Sequence, residues 1–176
     1  AGRPGIYCFF NRIKEVAMKT SKSLKLIISI LLCQAAGIIG SVFTRSSIES
    51  WYSTINKPGF TPPGWIFGPV WISLYLMMGI SLFLVWKKAV ETKNFSRKWI
   101  TFFAIQLALN TLWSILFFGL HSPMLAFVEI LLLWLFILLT LIEFRKISTA
   151  AGLLLIPYLF WVSFAAFLNF SIWRLN

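Results

Sequence analysis

Aspartate is absent from this chain, histidine occurs once (His121), and cysteine occurs twice (Cys8 and Cys33). These shortages remove whole classes of chemistry before any motif is sought. A zinc centre needs three or four His, Cys or carboxylate ligands close together, and no such grouping can be read from the order of residues. A Ser/His/Asp triad lacks its aspartate, and there is no phosphate-binding loop or nucleotide fingerprint. Cys8 precedes the first apolar run and Cys33 lies inside it, so no structural disulfide is expected. His121, in the short connection 119–123, reads as a solvated loop residue. Charge is scarce as well, at 12% of the 176 residues.

Apolar residues are abundant instead. They make up 59% of the chain, with a mean hydropathy of +0.85, more apolar surface than a soluble domain of this length could bury. Five runs stand out, at 24–43, 66–86, 99–118, 124–144 and 150–173. Each has roughly 20 residues, the length that crosses about 30 Å of hydrocarbon as a helix. None alternates polar with apolar as a membrane barrel strand does. The expected fold is an all-α integral membrane protein, a bundle of five transmembrane helices over 18–176, with a long first connection at 44–65. Residues 1–17 read as an extension ahead of Met18. The basic start and apolar core after Met18 suggest a signal peptide, but the run continues to Phe43 without a small-residue cleavage site.

The net charge is +11, yet its distribution argues against nucleic acid, since no aromatic-laced basic groove is present. Arg3, Arg12, Lys14, Lys19, Lys22 and Lys25 precede or open the first helix. Lys87, Lys88, Lys93, Arg97 and Lys98 lie between the second and third, and Arg145 and Lys146 between the fourth and fifth. Arg45, Lys57 and Arg174 fall on the other side. The positive-inside rule places the N-terminus in the cytoplasm and the C-terminus outside, as for a bacterial inner-membrane protein, with a basic face toward anionic lipid.

Polar residues within the runs are few, and in a membrane each is a functional candidate. Gln34, Gln106, Asn110, Glu129 and Asn169 are the main ones. Gln106, Asn110 and Trp113 share one helix face by their spacing. They are read either as interhelical hydrogen-bonding groups or as the lining of a cavity that orients a ligand. Glu129 is read as a protonated carboxyl bonded to a neighbouring helix, with proton-coupled transport as the alternative. Nine tryptophans exceed what interfacial anchoring by Trp86, Trp99 and Trp173 accounts for. Trp71 sits one turn before Tyr75, and Trp161 one turn before Ala165, whose small side chain leaves room for a flat guest. Ala36-xxx-Gly40 and Gly37-xxx-Ser41 suit close helix contact, within the bundle or between subunits.

The first connection contains Lys57-Pro58-Gly59-Phe60-Thr61-Pro62-Pro63-Gly64-Trp65. Its prolines each fix a backbone dihedral, and Gly59 and Gly64 are expected to supply tight turns. Trp51, Tyr52, Phe60 and Trp65 are expected to form an apolar roof, making the loop a lid.

Taken in order, Trp51-Tyr52, Lys57-Pro58, Thr61-Pro62-Pro63-Gly64 and Trp71 form one motif. Gln106, Asn110, Trp113 and Phe117-Phe118 follow, and the last motif is Pro157-Tyr158, Trp161, Phe164-Ala165, Leu168-Asn169 and Trp173. From Met18 to Asn176 the chain resembles the TspO/translocator protein family, the tryptophan-rich sensory proteins or peripheral-type benzodiazepine receptors. The resemblance implies a lidded five-helix bundle that binds tetrapyrroles, notably protoporphyrin IX, as ligand rather than as a required cofactor. It also implies homodimers and, in some bacterial members, light-dependent porphyrin breakdown through two pocket tryptophans, which match Trp71 and Trp161. The implied ligand-binding residues are Trp51, Tyr52, Pro62, Pro63, Trp71, Tyr75, Gln106, Asn110, Trp113, Trp161 and Ala165. Phe170 stands where the family's sterol motif has tyrosine, which weakens the expectation of a sterol partner. The function expected is porphyrin sensing, carriage or degradation. A proton-coupled transporter of a small hydrophobic solute is the alternative, and a protein that only contacts membrane partners is a third reading.

Overall fold

The computed structural model describes residues 20–93 and 97–176; the 1–17 extension, Cys8 and Met18 lie outside them. Helix α1 runs Lys22–Ser47 and continues as a π-helical turn, Ile48–Tyr52. Helix α2 is Gly64–Glu91, and α3 is Arg97–Ser114, extended by a second π-helical turn at Ile115–Gly119. Helix α4 is Pro123–Ile147, and the last span is divided into α5, Thr149–Leu154, and α6, Ile156–Leu175. The described residues contain no strand. The five spans Lys22–Tyr52, Gly64–Glu91, Arg97–Gly119, Pro123–Ile147 and Thr149–Leu175 are each long and apolar enough to cross a bilayer.

Local chemistry explains where the elements begin and break. Ser21 caps α1 by accepting the Leu24 N–H at 3.3 Å, which satisfies one of the orphan donors of the first turn. Pro123 opens α4, where its missing N–H costs nothing. Pro157 lies at the start of α6. It cannot donate to the preceding turn, and the last span breaks at Leu155.

Helix α1 lies between α2 and α3, α3 packs on α4, and α4 packs on both α5 and α6. The ring closes where α2 meets α5. Next to that closure, the outer part of α2 faces α6 through aromatic side chains. The inner stripe of α1 is Ser29, Cys33, Ala36 and Gly40, all buried, whereas Leu31 and Ile38 are 62% and 65% exposed. Outward apolar side chains of this kind suit lipid as solvent. The up-and-down path collects Lys22, Lys25, Lys87, Lys88, Lys93, Arg97, Lys98, Arg145 and Lys146 at one end, here the basic end. The π-helical turns and the 53–63 loop lie at the other, the lid end.

The structure revises two readings of the lid. The first connection is helical through Tyr52, so the irregular part spans 53–63, not 44–65. Among the described residues no glycine has positive φ, so Gly59 and Gly64 are not there for left-handed turns.

Candidate functional site

Asn110 is the centre of the bundle's polar interior. Its side chain is 3% exposed and is held on both faces: the Tyr75 hydroxyl donates to Oδ1, and Nδ2 donates to the Tyr158 oxygen at 2.8 Å. Three helices thus meet at one amide, and the Tyr158 hydroxyl still has its own proton to give. Tyr158 is fully buried and was not among the expected ligand residues. Its signal was the three-residue step to Trp161 on the same helix face.

The expected site residues fall into two connected groups. In the first, Trp71 stacks on Tyr75 with centroids 5.6 Å apart and meets Tyr158 edge-on at 6.4 Å. Trp161 meets Phe67 edge-on at 5.9 Å and Phe164 at 5.6 Å. Trp71, Trp161 and Ala165 are half-buried against the main core. One turn below Asn110, Gln106 is 1% exposed; its Nε2 reaches only the Met78 sulfur, at 3.8 Å, and its Oε1 has no partner. The Trp161 indole N–H is also buried and unpartnered.

The second group lies beneath the lid. Trp51 packs edge-on to Phe117 at 5.5 Å, and Tyr52 lies 5.7 Å from Phe118. Trp113 stacks on Phe117 at 5.1 Å and joins the two groups, its indole donating to Asn169 Oδ1 at 3.0 Å. Asn169 in turn donates to the Pro123 carbonyl at 2.7 Å. That residue and Gln34, which donates to the Ile72 carbonyl at 3.2 Å, are interhelical ties.

His121 is exposed but not merely solvated. Its ring stacks on Trp51 at 4.6 Å, and Nε2 lies 3.2 Å from Ser47 Oγ. Ser47 gives its proton to the Phe118 carbonyl at 2.6 Å, so the imidazole must be the donor, which fixes its tautomer.

The lid is tied down in its first half. Lys57 Nζ donates to the Tyr52 carbonyl at 2.6 Å and the Ile55 carbonyl at 3.0 Å, and lies 4.9 Å from the Tyr52 ring centroid. The loop's lysine is therefore spent on the end of the first span. Asn56 N–H donates to Asn176 Oδ1, and Asn176 Nδ2 donates back to the Asn56 carbonyl, both at 3.0 Å. Pro62 is half-buried and Pro63 exposed. The expected four-ring roof is not formed as one surface: Phe60 stacks on the outward Phe167 at 5.2 Å, and Trp65 is 75% exposed.

Glu129 departs from expectation. It belongs to the buried stripe of α4 with Ala126, Ile130 and Leu133, yet neither carboxyl oxygen has a hydrogen-bond partner. The expected bond to a neighbouring helix is not made. A surface concavity lined by Leu141, Ile142, Arg145 and Lys146 lies at the basic end and includes none of the expected residues.

The sequence marks Gly37 only as a small residue suited to close helix contact, because its spacing to Ser41 does not tell which ring it admits. A Cβ there would stand 2.3 Å from the Tyr75 ring. Gly37→Ala is expected to push Tyr75 off Trp71 and Asn110, at a cost on the order of 1–3 kcal/mol. The near-UV circular dichroism should change while the far-UV helical signal stays; an unchanged near-UV spectrum would show that the ring has room to move.

Comparison with known proteins agrees with this architecture. Residues 29–174 match the model of the TspO/MBR family. Tryptophan-rich protein TspO of Chlorobaculum tepidum is 48% identical over 157 residues, covering 87% of this chain and 96% of the relative. The tryptophan-rich sensory protein of Cereibacter sphaeroides is 38% identical over 128 residues, covering 73% and 78%. The human translocator protein is 38% identical over 141 residues, covering 78% and 82%. On the family match, the identity of these relatives and its five membrane-spanning helices, the chain belongs to the TspO/MBR family of integral membrane proteins.

Proposed function

We propose that this protein binds a metal-free tetrapyrrole, protoporphyrin IX or a close relative, between α2 and α6 beneath the lid. It would act there as a sensor, carrier or light-dependent degrader of porphyrin. The observation that carries the reading is the pair of facing aromatic walls, Phe67, Trp71 and Tyr75 on one helix and Tyr158, Trp161 and Phe164 on the other. The walls meet edge-on, Phe67 with Trp161 and Trp71 with Tyr158, and such walls can part to take a flat ring between them. Unpartnered Gln106 Oε1 and Trp161 Nε1 beside the walls supply an acceptor and a donor for ligand polar groups. Among the described residues the only histidine is at the lid end and exposed, so axial ligation from within the bundle has no imidazole to use. The sensory and translocator names of relatives support sensing or carriage. Homodimerisation is part of the same proposal, as is an orientation with the basic end in the cytoplasm.

Proton-coupled transport rests on Glu129. Below Gln106, however, the interior toward the basic end is closed by Phe103 stacked on Phe144 at 5.6 Å and Trp99 edge-on to Phe144 at 6.1 Å. A polar route that stops at an aromatic plug favours binding from the lid end.

Quenching of tryptophan fluorescence by protoporphyrin IX in detergent tests the proposal. Saturable quenching is expected, and Ala165→Leu should weaken it about tenfold, roughly 1.4 kcal/mol, by filling the space beside Trp161. Linear, non-saturating quenching in the parent protein would refute the binding site.

A further inference from the structure

At the basic end, three hydrogen-bond donors are buried with nothing to donate to, and a lysine without an ion pair lies beside them. Lys25 is 5% exposed, and the ion pairs among the described residues, Lys87 and Lys88 with Glu91 and Lys146 with Glu143, do not include it. Ser29 is fully buried and its Oγ has no partner. The indole N–H groups of Trp86 and Trp99 are buried and unpartnered too.

Helix register brings the four to one level of the bundle. Lys25 and Ser29 are one turn apart on the inner stripe of α1. Helices α1 and α3 run parallel, with Thr111 donating to the Ala36 carbonyl across 75 residues and Ser114 against Gly40. The same offset sets Trp99 opposite Lys25. Helix α2 runs the other way, with Gly79 against the Ile30 backbone, so descending α2 carries Trp86 to the level of α1's first turns.

Lys25 is largely buried and has no counter-charge, which leaves its ammonium short of partners where it surfaces. The other three groups worsen that imbalance, since each has a proton to give and no acceptor. What complements them is a compact anion with several acceptor oxygens. We infer that the inner mouth between α1, α2 and α3 is a phosphate-binding site, which in a bilayer takes the phosphodiester of an anionic phospholipid headgroup. Lys22, Lys87 and Lys88 around the mouth raise the local concentration of such lipid, and the indoles sit where tryptophan prefers the membrane interface. The site is at the opposite end from the porphyrin walls and does not depend on them.

The test titrates the purified full chain, in a neutral detergent, with dioctanoyl phosphatidylglycerol, dioctanoyl phosphatidylcholine and inorganic phosphate. Adducts are read by native mass spectrometry, and affinity by tryptophan fluorescence. Phosphatidylglycerol should bind, with about tenfold loss of affinity in Lys25→Met and about threefold in Ser29→Ala. Lys25→Met removes a charge that has no ion-pair partner and keeps the apolar stem, so its melting temperature should not fall. If inorganic phosphate binds as tightly and with the same dependence on Lys25, the phosphate site stands and its source is soluble. Equal affinity for phosphatidylglycerol in the parent and Lys25→Met, or equal binding of phosphatidylcholine and phosphatidylglycerol, overturns the inference.

Discussion

Phenylalanine at positions 71 and 161 is expected to leave protoporphyrin IX bound while its loss under aerobic illumination slows about tenfold or more, an increase of roughly 1.4 kcal/mol in the effective barrier. Phenylalanine keeps an aromatic face, and a ring contact is worth about 0.5–1.5 kcal/mol beyond burial, so affinity should change only modestly. What it lacks is indole's ease of oxidation. In the proposed photochemistry an excited porphyrin takes one electron from the indole, leaving a porphyrin radical anion and an indole radical cation. Dissolved dioxygen is the oxidant for the later steps. Trp71 stacks on Tyr75, a second oxidisable ring that can refill the hole, whereas Trp161 has Phe67 and Phe164 as its ring neighbours. Trp71→Phe and Trp161→Phe should therefore differ in how long the radical lives. The decisive measurement is porphyrin absorbance against light dose at saturating protein; parent-like decay in both variants would remove the tryptophans from the chemistry.

A comparably large effect is expected on stability from Gly79→Val. A Cβ at Gly79 would stand 2.7 Å from Ile30 Cα and 3.1 Å from its backbone nitrogen, so α1 and α2 would have to move apart along their contact. No side-chain rotation relieves a clash with backbone, and a loss of about 3 kcal/mol is expected. Gly59→Ala is the control: nothing lies within 4 Å of that added Cβ, and stability should hold within about 0.5 kcal/mol. Thermal unfolding in detergent distinguishes the two. Parent-like melting of Gly79→Val would mean that the helix pair is not closely packed.

These residues also mark what could and could not be read from the chain. Apolar length alone gives five spans, and the spacing of Gln106, Asn110 and Trp113 gives the inner face of α3. Facing is harder to read elsewhere, because lipid and core both accept apolar side chains and a span that is apolar all round has no polar side to orient it. Leu31 and Cys33 look equally suited to the interior, yet only Cys33 is there. The π-helical turns were hidden for a related reason: each adds a residue to a turn without changing composition, and so carries Trp51 and Tyr52 onto Phe117 and Phe118 rather than over Trp71. Glu129 shows a third limit, since a carboxyl's partner depends on which helix lies opposite, not on its own neighbours in sequence.

The bonds between Asn56 and Asn176 have a consequence for the order of assembly. They join residues 120 positions apart, so this clasp cannot form until the span that carries Asn176 has been made and inserted. Before that, the 53–63 segment is held at its α1 end by the local bonds of Ser53, Thr54 and Lys57, and the wall formed by α6 does not yet exist. A hydrophobic guest present in the membrane during biogenesis would therefore meet half of the proposed binding site, without having to open a finished one. Closing the clasp last would trap that guest. Protein made in cells short of porphyrin would instead have to be loaded through a closed lid, so the two preparations should differ in loading rate even where their final affinities agree.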